Sequence, residues 1–361
     1  MGEANHSRER GERSVVWTDL AGVPIARRIL AQMGSSIVVT KVGGPRARQV
    51  EQLANQLGCP VCDDARTLLL DRPETFGLMV SMAGVELPAV SEAVALGSLL
   101  LAVEPVNAEL GMMVENAGGL GAGNWSGATS GGTSGGTSGG SSGGRSGGRG
   151  VVYVPAFDQG EGWTRAANPT EVLGPIRMVR FSSYGAFGDG SLFARLYDAW
   201  RIVLRFGGLP DSIDAALAGP MAQVPQDLRG ISGYLTAHVR MPTASAILDV
   251  SDRCGCSQRQ LLVTADAGQL NVREQTYELH DATGKRLDGR DAAGPPLTFA
   301  DAVAQQWRKL LNRGRPSTAP YPPTPADDET VLLACCQACL LSARTGQAES
   351  PQRLLQAHGV R

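Results

Sequence analysis

The sequence predicts two successive folded halves: an α/β half built on a doubly wound parallel sheet, then an α+β half built on a mainly antiparallel sheet. Three observations predict this. Between residues 14 and 103, short apolar runs alternate with helix-periodic stretches across short loops. The runs are continuously apolar, as in parallel strands covered on both faces. Beyond residue 151 the runs instead alternate polar with apolar and are separated by turn residues, as in antiparallel strands with one wet face.

The elements follow in order. Residues 14–18 (SVVWT) form a strand and 25–33 a helix; 36–40 (SIVVT) form a second strand, followed by a Gly-Pro turn and a helix over 46–57. Residues 59–62 read as a third strand, 65–70 as a short helix, 76–82 as a fourth strand, 89–96 as a helix and 99–103 as a fifth strand. From 116 to 150 the chain becomes a Ser/Thr-Gly-Gly repeat, too poor in apolar side chains to offset its backbone entropy, and is expected as a flexible linker. After it, 151–155 and 176–182 read as strands and 191–206 as an amphipathic helix stopped by Gly207 and Gly208. Runs at 230–240, 244–251, 258–264 and 268–274 predict an antiparallel meander, closed by helices over 299–312 and 330–345. The expected division is a disordered start (1–13), a first domain (14–115), the linker (116–150) and a C-terminal α+β domain (151–350).

Composition narrows the function. The 361 residues suffice for two separate cores. A net charge of −2 and a pI near 6.1 provide no strong field for nucleic acid or anionic membrane, so neither is expected as a partner. No apolar stretch follows the charged N-terminus, and the apolar stretches 94–103 and 331–341 are too short to span a bilayer, which predicts a cytoplasmic protein. The seven cysteines, including Cys59, Cys62, Cys335, Cys336 and Cys339, are expected to be small buried thiols, with no metal site.

The order of elements resembles the Gfo/Idh/MocA family of sugar and polyol dehydrogenases. Residues 62–105 (CDDARTLLLDRPETFGLMVSMAGVELPAVSEAVALGSLLLAVEP) carry the resemblance furthest, nearly without gaps, through a strand, a helix and the next strand. LGPIRMVRF (173–181) resembles the strand that opens the family's second domain, and 327–347 its last long helix. The likeness spans about residues 15–345 apart from the glycine-rich linker. It implies a Rossmann-like, dinucleotide-binding first domain, a sugar or polyol ligand, and homo-oligomers formed through the open face of the second sheet.

The same resemblance places the family's chemistry on residues that do not match it. The phosphate-binding G-x-G-x-x-G falls on Asp19, Ala21 and Pro24, with Gly22 out of phase. Asp19 sets a carboxylate against the phosphates; at an effective dielectric near 20, two unit charges about 4 Å apart repel by roughly 4 kcal/mol. No Asp or Glu lies between Ile37 and Val50 to receive the adenosine ribose; Lys41, Arg46 and Arg48 stand there, so any dinucleotide binding leans towards NADP. The family's lysine falls on Glu104, ahead of a retained Pro105, and its Asp-x-x-x-His pair falls on Ala194 and Asp198 of a helix without histidine. Asp198 with Arg201 has the i,i+3 spacing of an ion pair. The candidate catalytic residues are therefore Glu104 and Asp198, and the candidate cofactor residues Gly22, Ser81 and Pro105. The expected function is that of a degenerate homologue with weak or no NAD(P) binding and a role in binding or assembly; the alternative is an active NAD(P)-dependent oxidoreductase with a rearranged site.

Overall fold

The computed structural model describes residues 11–71, 76–110, 150–155, 157–158, 160–166, 172–186, 188–292, 294, 298–313 and 328–360. The expected disordered start, up to residue 10, and the glycine-rich linker, up to residue 149, lie outside the described residues. The chain forms two compact units.

The first unit comprises residues 11–103, 150–154 and 303–313. In chain order it holds β1 (Glu12–Trp17), α1 (Val23–Met33), β2 (Ile37–Gly43), α2 (Arg48–Leu57), β3 (Val61–Cys62), α3 (Ala65–Leu70), β4 (Phe76–Met79), α4 (Leu87–Ala95), β5 (Leu99–Ala102) and β6 (Gly150–Tyr153). The strands join in the order β3-β2-β1-β4-β5-β6, every pair parallel. This is the doubly wound arrangement, whose order reverses between β1 and β4. Its core is the continuously apolar strand set: Val15, Val16, Leu78, Met79, Leu100 and Leu101 are all buried. Local chemistry starts and stops the helices. Asp64 caps α3 by accepting the N–H groups of Arg66 (3.2 Å) and Thr67 (3.0 Å), and Gly34, at φ 55°, ends α1.

Two segments expected in the second half belong here. The VVYV run after the glycine tract was expected to open the second half; instead it pairs parallel with β5 as the edge strand β6. Its unbroken apolar character matches β5, not the alternating strands downstream. Helix α7 (Phe299–Arg313) likewise joins the first unit from Val303 onward, and Arg308 donates to the Gln32 carbonyl at the end of α1.

The second unit comprises residues 104–110, 155–302 and 328–360. It holds α5 (Glu161–Arg165), β7 (Ile176–Tyr184), α6 (Leu192–Gly207), β8 (Ser212–Ala218), β9 (Tyr234–Arg240), β10 (Ser245–Ser251), β11 (Gln258–Ala265), β12 (Gly268–Arg273), β13 (Tyr277–Asp281), β14 (Arg286–Arg290), α8 (Glu329–Thr345) and α9 (Pro351–Ala357). The eight strands run β14-β13-β12-β11-β7-β10-β9-β8. All neighbours are antiparallel except β7 and β10, so the expected simple meander is interrupted by β7 inserted between β10 and β11. Val179 and Phe181, both fully buried, explain why β7 takes the centre. Helix α6 packs on β7 and β10, and α8 packs on β8 and on α6.

Helix α6 departs from the amphipathic expectation. From Leu192 to Leu204 only Arg201 escapes full burial, and even Arg195 and Asp198 lie inside. The cysteines depart too. Cys335, Cys336 and Cys339 are buried on α8, but Cys59, Cys62 and Cys254 are half-buried and Cys256 is exposed, because they lie on or beside the edge strand β3 and in the β10–β11 connection. No helix among the described residues is long and apolar enough to cross a membrane.

Phe181 touches Phe157 edge-on, with ring centroids 5.1 Å apart. Phe181→Ala removes the centre of the second core and is expected to cost about 3–5 kcal/mol, measured by urea denaturation.

Candidate functional site

In the first unit the residues to consider are those at the carboxyl ends of β1, β2 and β4, where a doubly wound sheet receives its ligands. The β1–α1 turn closes on itself. Asp19 Oδ1 accepts the Gly22 backbone N–H at 2.8 Å, and the Asp19 carbonyl accepts the N–H of Val23 at 3.2 Å. Glycine is required at 22 by close approach: a Cβ there would stand 2.5 Å from Thr18 Oγ1 and 2.9 Å from Val80 Cγ1. Trp17 ends β1 with its indole 1% exposed, lying over Gly43 of β2, where a Cβ would come within 2.6 Å of the ring. Its Nε1–H donates to the Ala83 carbonyl beyond β4 at 3.0 Å. The ring thus bridges three strand ends. Ser81 is buried and its Oγ accepts the Ala83 N–H at 3.1 Å. On β2, Lys41 pairs with Asp71 at 2.5 Å, and beyond it Arg46 pairs with Asp63 at 2.7 Å; Arg46 holds the Asp63 carboxyl below its ordinary value.

In the second unit, the segment beginning at Glu104 is tied down at two points. Arg229, on the 3-10 turn Leu228–Gly230, donates Nη2–H to the Val106 carbonyl at 2.5 Å. Burial lowers the Arg229 pKa, while Glu104, then Asp227 and Glu109, act to raise it. Asn107 Nδ2–H donates to Glu329 Oε1 at 3.0 Å at the start of α8. Pro105 is buried and Glu104 half-buried.

Ser191 caps α6 by accepting the Ala194 N–H at 3.2 Å, and two turns on Asp198 lies inside, 6% exposed. Arg195, one turn earlier, donates to Ser183 Oγ (3.3 Å), the Tyr184 carbonyl (3.2 Å) and the Asp189 carbonyl (2.8 Å). Burial, and then the neighbouring Arg259 charge, lower its guanidinium to about 10, against the pull of Asp189, Asp252 and Asp198. Arg201 reaches Asp158 at 3.4 Å, as does Arg205 at 3.3 Å, and Arg205 also lies over the Trp163 ring. Asp158 thus gathers two cations on the face of α6 that carries Asp198 one turn back.

Comparison with solved structures decides the fold. An oxidoreductase from Agrobacterium radiobacter, solved with NAD+, L-tartaric acid and magnesium, superposes with TM-score 0.60 at 15% identity, over 95% of this chain and 99% of that one. The chain has the Gfo/Idh/MocA fold. A myo-inositol dehydrogenase from Corynebacterium glutamicum matches with TM-score 0.58 at 14% identity, over 94% of this chain and 98% of that one. The WlbA dehydrogenase from Chromobacterium violaceum, solved with NADH and UDP-GlcNAcA, matches with TM-score 0.58 at 14% identity, over 95% and 96%. No protein-family model matches the chain, and no curated protein does.

Within this Gfo/Idh/MocA fold, Gly22 meets the end of β4 through Val80, the residue before Ser81, so these two candidates are neighbours in the first unit. In the second unit, Glu104 belongs to a group around Arg229 and Asp198 to one around Arg195 and Tyr197. Sequence reading missed Trp17, Arg229 and the Asn107–Glu329 contact. A tryptophan ending a strand just before the β1–α1 turn was a usable signal; Arg229, 125 positions from Glu104, had none.

Burial raises the Glu329 pKa above its ordinary 4.5, opposed chiefly by the Asn107 N–H. A raised carboxyl favours folding while protonated; that contribution is complete below the ordinary value and is lost as pH rises through the raised one. Glu329→Gln keeps an acceptor for Asn107 and stays neutral. It should therefore melt above the wild type at pH 7, with the gap closing by about pH 4 in thermal scans.

Proposed function

We propose that this chain retains the oxidoreductase fold without working dinucleotide chemistry and acts through binding or assembly. The observation that carries this reading is the Asp19 carboxylate on the Gly22 N–H at 2.8 Å. Helix N-termini of this fold class receive phosphate because free N–H groups and the helix dipole point outward there. Here a side-chain anion takes a donor at that end, and Pro24 has no N–H to offer. Trp17 fills space between the strand ends, and Lys41 and Arg46, two of the three cations that lean a site towards NADP, are engaged by Asp71 and Asp63. This donor set does not fit a pyrophosphate. Titrating the full chain with NADH and with NADPH should give no saturable heat or fluorescence change up to about 1 mM; micromolar binding of either overturns the reading.

The ligands in the similar structures favour a second reading, an active oxidoreductase on a sugar or polyol, because those proteins carry NAD+ with L-tartaric acid or NADH with UDP-GlcNAcA. In it, Glu104 or Asp198 serves as the base, and Glu104→Gln abolishes dinucleotide-dependent turnover. Glu104 in the field of Arg229 speaks instead for a structural carboxylate.

For assembly, we assign the face of the second sheet away from α6. Strand alternation puts Met178, Ile247 and Leu262 on it, all half-buried, beside the stacked rings of Tyr184 and Tyr234 (6.1 Å). Light scattering should report a dimer or larger, and Leu262→Glu should shift it to monomer; a monomeric wild type removes this surface.

A further inference from the structure

Four thiols lie outside the core, in two pairs: Cys59 with Cys62, and Cys254 with Cys256. The first pair has the familiar two-residue spacing, but its backbone is wrong for a bond. The Pro60 carbonyl accepts from Val42 N–H and the Cys62 carbonyl from Gly44 N–H, both at 3.1 Å, so the chain runs extended into β3. Extended at about 3.3 Å per residue, Cα atoms three positions apart stand roughly 10 Å apart. A disulfide tolerates about 4.4–6.8 Å. Odd spacing also sends the two side chains to opposite faces, and the Cys62 thiol already lies 3.2 Å from the Asp64 carbonyl.

Cys254 and Cys256 sit in the bent connection between β10 and β11. Two residue steps reach at most about 7 Å when fully extended, and a bend brings them inside the disulfide range. The connection is held at its ends and open in its middle. Cys254 N–H donates to the Gly185 carbonyl at 2.9 Å, Arg253 Nε–H donates to Ser232 Oγ at 3.0 Å, and β11 begins at Gln258 opposite Tyr184. Between the cysteines, the space where a Cβ of Gly255 would point has no neighbour within 4 Å. The bend is thus open to solvent at Gly255, and its anchored ends leave little chain entropy to lose when the thiols join.

We propose that Cys254-Gly255-Cys256 is a reversible dithiol–disulfide site whose co-substrate is a low-molecular-weight disulfide. One cysteine, as thiolate, attacks a sulfur of the external disulfide; its S–S bond breaks, one small thiol leaves, and a mixed disulfide remains. The second cysteine then attacks the protein sulfur of that mixed disulfide and releases the second small thiol. Two protein thiols are oxidised to one S–S bond, the external disulfide is reduced to two thiols, and those thiols carry the two protons. The site is independent of whether the first unit binds a dinucleotide.

The full chain is incubated with oxidised glutathione and followed by intact mass and by peptide mapping without reductant. The expected product is lighter by two hydrogens, the loss maps to the peptide holding Cys254 and Cys256, and dithiothreitol reverses it. Cys254→Ser and Cys256→Ser should each instead retain one glutathione on the remaining thiol. Stable glutathione adducts on both wild-type cysteines, no reaction at either, or a bridge formed first between Cys59 and Cys62 would each overturn the assignment. The wild-type product decides between these outcomes even where a variant folds poorly.

Discussion

Where strand order reverses in a doubly wound sheet, neighbouring crossovers depart to opposite sides and a crevice opens at the strand ends. The first turn of the helix that starts there has N–H groups without partners in the helix, and burying them without acceptors is costly. Two similar structures were solved with NAD+ or NADH bound. In this chain the Gly22 N–H at that end is met by a side chain. Trp17 supplies volume and ties β1 to the loop after β4, and Asp19 supplies an acceptor for Gly22. Gly43, Gly22 and Ser81 fit the ring, the close turn and the loop around them.

The second unit solves a different problem, that of burying charge. Arg195 and Asp198 are inside a helix enclosed on nearly every face, and Arg259 lies close by, paired with Glu274 at 3.1 Å. Arg195 meets two backbone carbonyls and a hydroxyl, and Arg259 a carboxylate, which offsets part of the cost of such burial. Asp158, between Arg201 and Arg205, repeats the pattern nearer the surface. Helix α6 therefore holds Arg195 and Asp198 inward, against the second sheet and α8.

Much of the architecture was legible because it rests on periodicity. The strands of the first sheet stood out as unbroken apolar runs, and the helix expected over 65–70 matches α3 to the residue. Strand β8 was missed because its IDAALA sequence is rich in alanine, which has little preference for strands, and β14 because RLDGR is a charged edge. The place of β6 could not be read, since the tract before it hides which sheet the next strand will join. At the site, the charge substitutions at 19 and 104 were visible in one dimension. The Arg229 charge near Glu104 was not, because the two are brought together only by long-range packing.

The first unit is assembled from three separate stretches of chain, the last of them the part of α7 beginning at Val303. Cutting the gene anywhere before β6 therefore does not release a domain. It leaves β5 as a bare hydrogen-bonding edge and strips α7 from its place by the Gln32 carbonyl. Nascent chains face the same situation on the ribosome: the early strands must wait for residues made some two hundred positions later before their layer is complete. Folding of this unit is thus coupled to the synthesis of nearly the whole protein, and fragments of it are expected to behave as aggregation-prone intermediates.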